Sequence, residues 1–342
     1  MLSTTFAMQS KLPALALFLL QTVAVADTPP LTQPEMQQVL RALQTQFADP
    51  DATGFTALNR AAIAGLLHDN PQTMQLLTVP DAAPATPPPL LQASLTPRIA
   101  CIRPGSFRQE DTGPLRDALT KLAAGESSAL ILDLRAPAAD SDPAIAAGLA
   151  ALFMPKGTPL FTFKTPLQTT ADPVWTRELL ILADRDTTNA AEVLATVLQA
   201  RKRALLIGGT TRGRTASVSD LPLRKTDAGQ LILRYTPARV TFADMPDPFG
   251  KGLTPDFPAP QEAVAKQGVF ALQASEGLAR GVFQTVRPRV SEASLLAHTN
   301  PELPDRIARA SGKPSAFDTQ LTDRPLQLAV DILIANQALT QP

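Results

Sequence analysis

Thr187, Thr188, Asn189, Ala190, Ala191 and Glu192 open a segment of apolar periodicity, and the loop "GGTTRGRT" that follows it carries Arg212 and Arg214. A hydroxyl at such a helix start does acyl-transfer chemistry when a base lies within hydrogen-bond reach and donors face the developing oxyanion. The hydroxyls on offer are those of Thr188 before the helix and Ser217 and Ser219 beyond the loop. Bases are scarce. The chain has two histidines, His68 in a helical stretch and His298 in "LLAHTNPE", positions where histidine is more often a surface or capping residue than a catalyst. Arginine stays protonated and cannot accept a proton. Asp184, Asp186 and Glu192 could suggest a carboxylate cluster, but they read better as turn and helix-start carboxylates. No spacing of His, Cys and Asp typical of zinc occurs, so no metal and no other cofactor is expected. "GGTTRG" lacks the spacing and the Lys-Ser/Thr ending of a phosphate loop.

Two kinds of element must hold these residues. "AAEVLATVLQARK" reads as an amphipathic helix and "RALLIGG" as a short buried strand. Upstream, "RIACIRP", "SALILDLRA", "PLFTFKT" and "ELLILAD" read as strands, while "TGPLRDALTKLAAG" and "DPAIAAGLAALFMP" read as helices. Repeated strand-helix units with short connections predict an α/β core with helices packed on a sheet. The apolar runs at 130–134, 179–183 and 204–207 are expected as neighbouring strands with both faces covered. "QLILRYTPARVTF" adds a hairpin or a long strand, and from about Ala259 the chain turns helical, closing with "DRPLQLAVDILIANQAL".

The N-terminus reads as an address. Lys11 precedes "LPALALFLLQTVAVA", which ends in Ala24-Val25-Ala26 before "DTPP", the pattern of a signal peptide at 1–26 cleaved after Ala26. A periplasmic or secreted protein is expected, with an uncleaved anchor as the alternative. No later run reaches the length of a membrane span, so none is expected to remain after cleavage. From Thr32, a capping box to Glu35 starts a helix whose Met36, Val39, Leu40, Leu43 and Phe47 share a face. With "FTALNRAAIAGLLHD" it makes an N-terminal helical hairpin within 27–77. Residues 78–97, rich in Pro and Ala, read as a semi-rigid linker. The chain of 342 residues carries 31 basic and 31 acidic side chains. That balance gives no reason to expect a nucleic-acid partner. Cys101, the only cysteine, cannot form an internal disulfide and reads as a small buried hydrophobe.

"ALILDLRA", "NAAEVLATVLQARKRALLIGGTTRGRT", "YTP", "GKGLTPDF" and the final helix occur in an order that resembles the tail-specific, or C-terminal processing, serine peptidases. The resemblance covers residues 98–258, and the hairpin resembles that family's N-terminal segment. It implies a crotonase-like α/β peptidase core at 98–258 with a helical C-terminal segment at 259–342. Two departures accompany it. A PDZ domain of the usual kind would have to fit within 78–97, which is too short. With the register fixed on Glu192 and Gly208, the family's serine nucleophile falls at Asn189 and its lysine base at Arg214. An Asn amide is a poor nucleophile and a guanidinium no base. Two supporting polar positions fall at Ala200 and Val218. The turn that offers an oxyanion donor falls on "APAADSD", where Pro137 has no N–H and Asp140 is negative.

The resemblance therefore implies a frame, Glu192, Gly208, Gly209 and Gly213, whose reactive groups are replaced. The cleft it implies is lined by Ala190, Gly209, Thr211, Arg212 and Arg214. Arg214 is expected either to pair with a carboxylate such as Asp140 or to bind a peptide carboxylate. The leading expectation is an inactive homologue that binds exported peptides or an active protease partner, with a homo-oligomer open. One alternative is a serine-type or threonine-type peptidase using Thr188 or Ser217. The other is a small apolar ligand held in the crotonase-like cleft.

Overall fold

The computed structural model describes residues 32–46, 54–80, 88–108, 111–136, 141–283, 290–312 and 321–340. The expected signal peptide, Phe47, and Pro137, Ala139 and Asp140 of the "APAADSD" turn lie outside the described residues. The chain divides into two compact units, up to Gly65 and from Leu66 onward.

In the first unit, α1 (Gln33–Gln46) begins where the capping signal predicts. The Thr32 N–H and hydroxyl both donate to Glu35 Oε2, at 2.8 and 2.7 Å. These bonds hold the Glu35 carboxyl below its ordinary range. Met36 and Val39 are exposed on α1, and α2 (Phe55–Asp69) follows over the predicted residues.

The second unit is built on a six-stranded sheet. Its strands are β2 (Leu91–Thr96), β3 (Ile99–Arg103), β4 (Ala129–Asp133), β7 (Glu178–Ala183), β8 (Leu205–Gly208) and β11 (Phe257–Pro258), in the order β11-β8-β7-β4-β3-β2. All pairs are parallel except the antiparallel edge β2-β3. Alternate side chains face two cores. Ala100, Ile102, Leu130, Leu132, Leu179 and Ile181 pack towards α3 (Thr112–Ala124), α4 (Ile145–Ala150) and α5 (Asn189–Ala200). Ile99, Cys101, Ile131, Leu180 and Leu182 pack towards α9 (Arg324–Thr340). Burial on both faces is the reason these strands read as unbroken apolar runs. It also pushes the Cys101 thiol up, out of the reactive range.

Three expectations are corrected. The linker at 78–97 is not free of structure: Leu91–Thr96 is β2, with Leu91, Ala93 and Leu95 turned to the core, so the core starts before residue 98. Its period-two signal was masked by the surrounding prolines. "PLFTFKT" forms the strand read for it, β5 (Pro159–Phe163), which pairs with β6 (Thr165–Gln168) in a two-stranded sheet and bridges through Thr162 to Thr241. Of "DPAIAAGLAALFMP" only Ile145–Ala150 is helical, followed by turns. The strand β10 (Gly229–Tyr235) lies between β9 (Ser219–Thr226) and β1 (Met74–Val79), all antiparallel. β1 therefore falls inside what reads as a helical segment and linker. The C-terminal stretch adds α6 (Ala263–Glu276), α7 (Glu292–Leu296) and α8 (Leu303–Ala310) before α9.

Candidate functional site

The turn from β7 into α5 is anchored before any reactive group is reached. Thr187 is fully buried. Its hydroxyl donates to the Leu134 carbonyl at 2.9 Å and accepts the Asp184 N–H at 3.1 Å, tying the ends of β4 and β7 together. The Arg212 N–H donates to the Thr187 carbonyl at 3.1 Å, which brings the Gly-rich loop onto the same turn.

Asn189, the first residue of α5, has φ of +50° and is fully buried. Its N–H donates to the Arg214 carbonyl at 2.9 Å. A left-handed backbone here sharpens the entry to the helix, and among non-glycine residues Asn tolerates it best. One turn on, Glu192 is buried and accepts the N–H groups of Gly213 and Arg214, both at 2.7 Å, and the Thr211 hydroxyl. Burial raises the Glu192 pKa, and the three donors work against that rise. Gly213 is required where it stands: φ is +79°, and a Cβ would lie 2.8 Å from the Gly252 nitrogen. Glu192 is thus the post around which the loop is wound, and a carboxylate so enclosed serves geometry.

Of the expected cleft residues, Ala190 and Thr211 are buried, Gly209 and Arg214 half-buried and Arg212 exposed. Arg214 borders a small recess with Gln72, Gln75, Val218, Arg234 and Tyr235. The candidate hydroxyls are engaged elsewhere. Thr188 donates to Asn189 Oδ1 at 3.1 Å, and Ser217 to the Ala238 carbonyl at 3.1 Å; an amide oxygen and a peptide carbonyl are not bases. The Ala190 N–H, next after the expected nucleophile position Asn189, points at Ser141 Oγ, 3.3 Å away. His68 and His298 are exposed, at the end of α2 and in the turn after α7.

The three carboxylates separate. Asp184 and Asp186 both take Lys266 Nζ at 2.6 Å, while Glu192 faces the loop. Burial raises the Asp184 pKa, with Lys266 opposing it. No group able to hold a metal occurs among the described residues. Lys266, which also donates to the Arg135 carbonyl at 2.7 Å, had no signal in the sequence because it sits in a helix distant along the chain.

Beneath the site lies a second charged assembly. Arg135 donates to both oxygens of Asp133 at 2.8 Å and to both oxygens of Asp323 at 2.8 and 2.9 Å. Arg103 donates to Asp133 at 2.8 Å and to Gln273 at 2.6 Å, and lies 3.7 Å from the centre of the Phe270 ring. Burial alone would raise the Asp133 pKa; Arg103 and Arg135 outweigh it and hold the carboxyl far below its ordinary range.

Residues 98–259 match peptidase family S41. The carboxyl-terminal-processing peptidase 2, chloroplastic, of Arabidopsis thaliana is 29% identical over 195 residues, covering 52% of this chain and 35% of that protein. The chain thus spans about a third of that relative's length. Among solved structures, a photosystem II D1 C-terminal processing protease aligns at 22% identity, with a TM-score of 0.40, over 60% of this chain and 53% of its own. A lipoprotein from Streptococcus agalactiae aligns at 17% identity, with a TM-score of 0.38, over 54% and 69%. Among the described residues no helix is long and apolar enough to cross a membrane.

Proposed function

Residues 98–259 are a peptidase family S41 domain, and from that premise we propose that this chain uses the domain to bind exported peptides without cleaving them. The observation that carries the reading is the pairing of Asn189 and Arg214. They stand where the resemblance puts nucleophile and base, and they are joined through the backbone at 2.9 Å while Glu192 clamps the loop. The frame is complete, but neither side chain can start acyl transfer. Further support comes from the Ala190 N–H, which is engaged by Ser141. Export rests on the pattern at 1–26, with cleavage after Ala26. An active protease partner is the other ligand of the same reading.

Arg214 is the residue proposed to read the ligand, because a guanidinium fork suits a terminal carboxylate. The test is calorimetric binding of an apolar peptide with a free C-terminus, alongside its C-terminal amide. The reading expects binding that weakens about tenfold on amidation and on Arg214→Ala. Equal affinity in all three measurements would remove the role given to Arg214.

A further inference from the structure

A pocket of about 310 Å³ opens on the side of the sheet that carries α3 and α4. Its walls are Pro89, Leu90, Phe107, Leu115 and Leu149, and none of Thr188, Asn189, Glu192 or Arg214 lines it. It is therefore separate from the site described above.

The pocket is built rather than left over. Gly105 lies against the Pro88 carbonyl so closely that a Cβ would sit 1.6 Å from that oxygen. Only glycine permits that approach, and it fixes the segment before β2 against the loop after β3. Ser106 and Phe107 in that loop are buried. Asp111, on the pocket lining, has Oδ2 saturated: the Ser106 hydroxyl donates to it at 2.5 Å and the Arg108 N–H at 2.7 Å. Both donors orient the carboxylate through one oxygen. No donor among the described residues reaches Oδ1. An oriented carboxylate with one open oxygen, set among apolar walls, suits an ammonium group attached to an apolar body. Arg108, whose N–H orients Asp111, is exposed at the rim.

We propose that this pocket binds an apolar α-amino acid group, free or at the N-terminus of a peptide. Its ammonium rests on Asp111 Oδ1 and its side chain lies against Phe107, Leu115 and Leu149. The proposal does not depend on the reading of Asn189 and Arg214.

The experiment is titration calorimetry of the mature protein with L-phenylalanine, phenylalanyl-alanine and 3-phenylpropionate, which lacks the ammonium. The amines are expected to bind and 3-phenylpropionate to bind at least about tenfold more weakly. Whichever amine binds tighter identifies the source of the group. Asp111→Asn, which keeps an acceptor for Ser106, is expected to weaken both amines about tenfold. Pro89→Trp, a substitution on an exposed wall, is expected to abolish binding by filling the pocket without touching the core. No heat from either amine up to about 10 mM, equal binding of 3-phenylpropionate, or affinity unchanged in both variants would overturn the proposal.

Discussion

Two buried assemblies lie close together in the second unit, and they treat charge in opposite ways. In Arg103, Asp133, Arg135, Asp323 and Gln273, each formal charge meets an opposite one within 2.9 Å. Around Asn189, Glu192 and Arg214, a single buried carboxylate meets a hydroxyl and backbone N–H groups. The first assembly ties α9 to the sheet through Asp323, at the start of that helix. The second holds the Gly-rich loop against the start of α5 through one carboxylate. The winding of the loop depends on Glu192 and Gly213, and neither needs a nucleophile to do it.

The largest expected effect breaks the first assembly. Asp133→Asn leaves Arg103 and Arg135 with one carboxylate between them and is expected to cost about 3–5 kcal/mol in urea unfolding; a loss below about 1 kcal/mol would mean the network contributes little. Glu192→Gln removes acceptor capacity from three donors and is expected to cost about 1–3 kcal/mol. The two carboxylates also predict pH dependences of opposite sign. Asp133 is depressed in the fold, so the stability it contributes is present above its unfolded pKa of about 3.9 and is lost as pH falls towards the depressed folded value. Glu192 is raised, so the folded state holds its proton longer and stability falls as pH rises from about 4.3 towards the raised folded value. Unfolding followed across that range should lose its acid limb in Asp133→Asn and its opposing slope in Glu192→Gln. Asn189→Val puts a β-branched side chain at φ +50° and is expected to cost about 1–3 kcal/mol, with Asn189→Gly close to neutral by thermal unfolding. Smallest is Thr188→Ala, expected within about 0.5 kcal/mol of the parent because Thr188 is half-buried with a single local side-chain bond.

The same contrast explains what the chain made legible. The strands at 130–134, 179–183 and 204–207 could be read because both faces are apolar, and they are neighbours in the sheet. The helix starting at Asn189 and the loop after β8 could be placed because the helix is amphipathic and the family resemblance fixes the register on Glu192 and Gly208. β1, β2 and β9 escaped because they are edge strands among Pro and polar residues, where alternation is weak. The charged network escaped for another reason: Arg103, Asp133 and Asp323 are brought together by topology across more than half the chain, and periodicity carries no record of such pairing. Lys266 and Ser141, which complete the surroundings of the Asn189 turn, are of the same kind.

The most direct measurement is turnover of an unfolded peptide by the purified wild-type protein, run beside Thr188→Ala and Ser217→Ala. On the proposal that Asn189 and Arg214 occupy the dyad positions, no hydrolysis above background is expected in any of the three, because losing members of a catalytic unit removes several orders of magnitude of rate. Robust cleavage by the wild type that vanishes in either variant would contradict the account and install Thr188 or Ser217 as the nucleophile.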